Sequence, residues 1–226
     1  MNKYEIEIKV LLGDRTQADI LKQKLFDYYP GISLSKKSQQ LNHYFSGSDD
    51  MIRNLQKVMT PYISQDLHQG LINILQNGKN FSVRTRQTND KIIFVIKASI
   101  DDTTSFNGIS RSEFESPINL SLAELDQILI EAGLSYQAKW SRDREEYSLD
   151  DMNVCIDKNA GYGYLAEFEK VISNQDQSEE TAQDLRLIIK NLGLVELSQD
   201  RLERMFAYYN HNWPDYYGTD KIFNIE

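Results

Sequence analysis

The sequence predicts an α+β protein built on an antiparallel sheet of eight strands, with helices between them. Three observations predict it. Eight segments are rich in β-branched and aromatic residues or alternate apolar with polar ones, as half-buried strands do. Two of them flank Thr88-Asn89-Asp90, the turn of a hairpin. Four carry charges at i and i+2, which a strand places on one face.

In chain order, the strand candidates are 3–12, 41–46, 80–87, 91–98, 109–116, 136–148, 152–157 and 163–172. The last two flank Asp157 to Tyr164, a hairpin loop that contains Gly161 and Gly163. A helix is predicted over 16–29, where Ile20, Leu21, Leu25, Phe26 and Tyr29 recur at helical spacing before Pro30-Gly31 ends it. Ser121-Leu122-Ala123-Glu124 has capping-box spacing, with Gly133 at the expected stop. Ser178 opens a helix that closes near Gly193, and Ser198 caps a helix over 199–210 with Leu202, Met205, Phe206 and Tyr209 on one stripe. Pro61 splits two short helical patterns, 50–59 and 64–76. Residues 1–210 therefore read as one domain with a helical insertion at 49–79, and 211–226 as an aromatic tail docked on it.

Length and composition bound the function. A chain of 226 residues can bury a core. Its formal net charge of −9 opposes a general role on nucleic-acid polymers, which demand a basic surface. The single cysteine, Cys155, rules out an intramolecular disulfide and lies in the apolar run Val154-Cys155-Ile156, as a buried inert thiol does. With no apolar run near the length that spans a bilayer, no membrane is expected, and a cytoplasmic location follows by default. His43, His68 and His211 have no zinc spacing, and Gly161-x-Gly163 reads as turn chemistry.

The charged faces are specific in kind. Glu5, Glu7 and Lys9 share a face, as do Arg84 and Arg86, then Arg111, Glu113 and Glu115, then Glu167 and Glu169. Any one of these is explained by the solvated side of a half-buried sheet. Together they pair acid with acid and arginine with arginine, and like charges two residues apart repel unless something binds between them. Paired carboxylates suit a hard divalent cation. Paired arginines suit phosphate, through forked hydrogen bonds. The combination describes a metal–polyphosphate complex. Lys139 has the opposite parity to Arg142 and Arg144, so one set faces away unless a bulge intervenes.

In this order the motifs resemble the CYTH superfamily, the triphosphate tunnel metalloenzymes. Glu5-x-Glu7-x-Lys9 is similar to the family's opening motif. His43-Tyr44-Phe45, Arg84-x-Arg86, Lys97, Arg111-x-Glu113-x-Glu115, Arg142 with Arg144, Asp157 with Gly163, and Glu167-x-Glu169 follow in its order. The resemblance spans residues 3–205. It implies an eight-stranded antiparallel β-tunnel, a closed barrel with a charged interior and helices packed outside. It implies that Glu5, Glu7, Asp157, Glu167 and Glu169 hold one or two divalent cations, Mg²⁺ or Mn²⁺, with Glu113 and Glu115 added to the metal set. Lys9, Arg84, Arg86, Lys97 and Arg142 would grip the triphosphate, joined by Arg111 and Arg144. Arg111, Glu113, Glu115, Lys139 and Arg144 have balancing of interior charge as their other role. Glu5, Glu7 and Lys9 would be the catalytic group. Arg201 or Arg204 would stand in for the family's C-terminal lysine.

The expected activity is metal-dependent hydrolysis of a triphosphate: tripolyphosphate, a nucleoside triphosphate such as ATP, or thiamine triphosphate. The alternatives are a class IV adenylyl cyclase, which makes cyclic AMP and pyrophosphate, and a binding module without turnover. Tyr44, Phe45 and Trp140 could stack on a base or thiazole ring, with core packing as their other reading. A homodimer is left open.

Overall fold

Among the described residues, apolar residues at period two and at helical spacing produce six α-helices and eight strands. The computed structural model describes residues 4–99 and 111–226, and the side chains of Tyr4, Glu5, Arg111 and Gln175 fall outside the description. In order, the elements are β1 (Tyr4–Gly13), α1 (Arg15–Tyr28), β2 (Ser33–Ser46), α2 (Asp49–Met59), α3 (His68–Asn77), β3 (Lys79–Thr88), β4 (Lys91–Ser99), β5 (Arg111–Pro117), α4 (Leu122–Glu131), β6 (Ser135–Leu149), β7 (Met152–Asn159), β8 (Gly163–Ile172), α5 (Ser178–Asn191) and α6 (Gln199–Asn212). The start of the predicted strand 109–116 lies outside the described residues.

The strands hydrogen-bond in the order β1-β8-β7-β6-β2-β3-β4-β5, forming an eight-stranded sheet. The described registers are antiparallel, β1 on β8 and β3 on β4 included. Among the described residues no ladder joins β5 to β1, so hydrogen bonds do not close the sheet as the tunnel expectation requires. Among the described residues, no helix is long and apolar enough to cross a membrane.

The chain divides into two compact units, Met1–Gln39 with Ser141–Glu226, and Gln40–Trp140. In the first, Ile8 and Val10 of β1, Val154 and Ile156 of β7, and Phe168 of β8 form one core with Leu21 and Leu25 of α1 and Leu185 and Ile189 of α5. Alternation then leaves Glu7, Lys9, Asp157, Glu167 and Glu169 on the opposite strand face. Asp14 caps α1 through Gln17 N–H. Ile20 and Phe26, expected on the buried stripe of α1, are 43% and 46% exposed; Ala18 is buried instead. A Cβ at Gly163, whose φ is +72°, would run into the Gly13 carbonyl oxygen, so the start of β8 approaches β1 only without a side chain. Past α6, Phe223 N–H donates to Gly161 O at 2.9 Å, and the Phe223 ring meets Tyr162 edge-on.

In the second unit, Val83, Phe94, Ile96 and Phe114 of β3–β5 bury against Leu55 and Met59 of α2, Leu71 and Leu75 of α3, and Leu125 and Leu129 of α4. The segment between β2 and β3 thus supplies a large part of this core. Ser121 and Glu124 form the predicted capping box of α4. Asn89 takes a left-handed φ of +51° in the β3–β4 turn, which asparagine tolerates.

Candidate functional site: two charged strand faces

On the first unit, the register of β1 on β8 sets Glu7 opposite Glu169 and Lys9 opposite Glu167. Asp157 of β7 is the anchor. It is 1% exposed and accepts Arg144 Nε and Nη2 at 2.7 and 2.6 Å as a fork, with Arg142 Nη1 at 3.2 Å. Arg144 Nη2 also bonds Glu167, and Lys9 Nζ lies 3.3 Å from Glu167 Oε1 while pairing with Glu7. Burial acts to raise the Glu167 carboxyl, but the charges of Lys9, Arg144 and Arg142 outweigh it and hold it below the usual range. The same carboxylates raise the pKa of Arg144 against its burial. Asn153 Nδ2 donates to Glu169 Oε1 at 3.2 Å.

Cys155 lies in register with Glu167, on this charged face rather than among its apolar neighbours. Burial pushes its thiol up to about 12, aided by Glu169, Glu167 and Asp157, which keeps it unreactive.

On the second unit, Asn42 and Tyr44 of β2 pair with Arg86 and Arg84 of β3. Arg86 Nε donates to Asn42 Oδ1 at 2.8 Å and Nη1 to Glu115 at 2.9 Å. Lys97 Nζ meets Glu113 at 2.9 Å. Arg84 bonds Ser82 through Nε and, among the described residues, pairs with no carboxylate. Glu113 and Glu115 are thus the ion partners of Lys97 and Arg86.

Other expectations are redistributed. The Glu5 and Arg111 side chains lie outside the described residues. Lys139 stands over the Tyr136 ring, 4.0 Å from its centre. Tyr136 donates to Asp126 of α4, whereas Trp140, of the same parity, adjoins Tyr44, so β6 changes face between them. Arg201 and Arg204 donate to the Ile225 and Glu226 carbonyls of the tail.

Sequence reasoning also missed a buried centre. Asp126, 4% exposed, accepts His43 Nδ1 at 2.6 Å, Thr85 Oγ1 at 2.6 Å and Tyr136 Oη at 2.7 Å. Burial favours its neutral form, but these three bonds prevail and lower its pKa. Its place on the stripe Leu122, Leu125, Asp126, Leu129 was the available signal.

Among the described residues, no three carboxylate, histidine or cysteine side chains gather as a complete metal-binding group. What β1 and β8 do offer is one opposed pair of glutamates. Such a pair is chemically suited to Mg²⁺, which binds through one or two carboxylates plus waters and substrate phosphates.

The fold has known counterparts. The PH1012 protein from Pyrococcus horikoshii OT3 is similar over 84% of this chain and 91% of its own, with 16% identity and a TM-score of 0.56. An adenylate cyclase candidate from Vibrio parahaemolyticus aligns over 92% and 99%, with 10% identity and a TM-score of 0.58. HpAC1 from Hippeastrum, an adenylyl cyclase candidate described by its dominant triphosphatase activity, aligns over 92% and 96% at 16% identity and a TM-score of 0.50. No curated protein matches the sequence. The profile of the CYTH domain matches residues 73–202, more than half of the chain. This chain belongs to the CYTH domain family.

Proposed function

We propose that this protein hydrolyses a triphosphate with the help of a divalent cation, Mg²⁺ or Mn²⁺. The observation that carries the reading is the register that sets Glu7 directly across from Glu169. Directly opposed like charges destabilise a strand pair. A hard cation with oxygen ligands removes that repulsion. Bound there, the cation would neutralise phosphate oxygens and acidify a water. Glu5, two residues before Glu7 on the β1 backbone, is included in the proposed metal set, and Lys9 holds Glu7 and Glu167 in position from the same strand.

The cations supply the grip. Arg84 presents a fork not paired with carboxylate. Arg86 and Lys97 exchange Glu115 and Glu113 for phosphate oxygens, since partly exposed ion pairs contribute only ~0–1 kcal/mol. Arg142 contributes from β6. Arg144 is fixed by Asp157 and Glu167, and orders the strand face more than it binds. Phosphoryl transfer asks mostly for positioning and charge neutralisation, which this set provides. Family membership and the triphosphatase activity of the Hippeastrum relative support the reading.

The test is product analysis with tripolyphosphate, ATP and thiamine triphosphate in Mg²⁺ or Mn²⁺. Orthophosphate release is expected. Cyclic AMP with pyrophosphate from ATP would make the chain a cyclase, as the Vibrio relative's description suggests for that protein. Tight binding without product would make it a binding module. Glu7→Gln and Glu169→Gln should each abolish turnover and weaken Mn²⁺ binding in calorimetry; full activity in both would overturn the assignment.

A further inference from the structure

The structure separates three aromatic side chains that the sequence leaves equivalent. Phe45 is 2% exposed and belongs to the apolar core beneath α4. Tyr44 and Trp140 are half-buried and, among the described residues, belong to neither apolar cluster. Their ring centres lie 6.5 Å apart with planes at 60°. The register that pairs Tyr44 with Arg84 brings the Arg84 guanidinium over the Tyr44 ring, 4.5 Å from its centre. A guanidinium over a ring keeps N–H groups with which to donate hydrogen bonds. Among the described residues, Arg84 uses only Nε, which donates to Ser82 Oγ at 3.1 Å.

We propose that Tyr44, Trp140 and Arg84 form a platform for the base of a nucleoside triphosphate, making that class the preferred substrate over inorganic tripolyphosphate. The inference deepens the triphosphatase reading and rests on it. Aromatic faces beside a cationic grip are how proteins hold a base without reading its identity. Arg84 links the two tasks: its cation lies over Tyr44, and its Nη atoms, which take no hydrogen-bond partner among the described residues, are left for phosphate. The positive charge of Arg84 next to the rings disfavours a ring that is itself cationic. That argues for a neutral nucleobase over the thiazolium of thiamine triphosphate.

Two measurements decide it. The chain holds two tryptophans, so Trp213→Phe leaves Trp140 as the sole reporter. In that variant a β,γ-methylene analogue of ATP should change the Trp140 emission, and tripolyphosphate should compete without changing it. Equal responses to the two, or analogue binding that leaves the emission unchanged, would overturn the platform. In kinetics, Trp140→Ala should lower kcat/KM for ATP and GTP by about 5- to 150-fold, the range for one lost stacking contact, and leave tripolyphosphate turnover unchanged. Trp140→Phe should recover most of the ATP rate. Equal losses on tripolyphosphate would sink the proposal. If the wild type hydrolyses nothing, the triphosphatase reading fails, and the fluorescence titration still decides the ring site.

Discussion

In the half of the sheet that contains β7, Asp157 is 1% exposed and takes three N–H bonds from two arginines. In the half that contains β5, the Glu115 side chain is 42% exposed and takes one bond from Arg86. The residue types are the same, and the physics differs. A buried carboxylate that loses its partner keeps an uncompensated charge in a low dielectric, which is costly. A carboxylate at the rim returns to water at little cost. The first half is therefore a fixed ionic scaffold around the Glu7–Glu169 pair. The second is a set of cations in partly exposed ion pairs, which the proposed reading has an incoming phosphate displace.

The comparison breaks most visibly in activity. Glu7→Gln or Glu169→Gln should reduce turnover of the best triphosphate by about 10³-fold or more, the scale of losing a principal electrostatic element. Glu115→Gln should do the reverse on the substrate side, lowering KM because Arg86 no longer has to leave a carboxylate. A Glu115→Gln variant as inactive as Glu7→Gln would show that the two halves do not divide the work this way, and would return Glu115 to the metal set.

Stability should separate the halves next. Arg144→Ala leaves Asp157 and Glu167 buried without their main partner and should destabilise the fold by ~3–5 kcal/mol in chemical denaturation. Glu115→Ala should cost ~0–1 kcal/mol. The second half has its own buried ion, but on the helix side of the sheet. Asp126→Ala removes the shared acceptor of His43, Thr85 and Tyr136, two of them buried, and should cost ~2–3 kcal/mol. A loss below that of Glu115→Ala would show that the three donors find other partners.

How much of this was legible follows from where the signals sit. Glu7, Lys9, Arg84, Arg86, Glu167 and Glu169 stand out because like charges at period two recur on several strands, a pattern that is readable in one dimension. The first eight residues of β2, from Ser33 to Gln40, escaped because their run of Ser, Lys and Gln shows no alternation, although Ser38 and Gln40 are buried in the strand. The face change within β6 was invisible, since parity counting cannot locate a bulge, and it is what brings Trp140 to Tyr44 while Tyr136 serves Asp126. Cys155 was read from its apolar neighbours, yet strand alternation places it with Asn153 and Asp157. The division of ion pairs into buried and displaceable ones was not legible at all. It depends on how much water reaches each pair, which no local pattern encodes.

The smallest effect is an acid titration of the scaffold half. Glu145 lies on the helix-facing side of β6, where Lys22 and Lys37 each approach within 2.7 Å and Tyr147 Oη donates at 2.9 Å. Burial works to raise its carboxyl, but the three donors and the Lys22 charge overcome that and hold it down at about 2. A carboxyl depressed in the folded state contributes its stabilisation fully above the unfolded value of 4.5 and loses it as pH falls toward about 2. The Tm gap between the wild type and Glu145→Gln should therefore be constant from about pH 7 to about pH 5 and close progressively below about 4.5. The gap should be modest, because the group is partly solvated and salt screens it. A gap that stays constant down to about pH 3 would mean that Glu145 contributes through packing of its stem instead of its charge, and that the ionic order of this half ends at the strand face carrying Asp157.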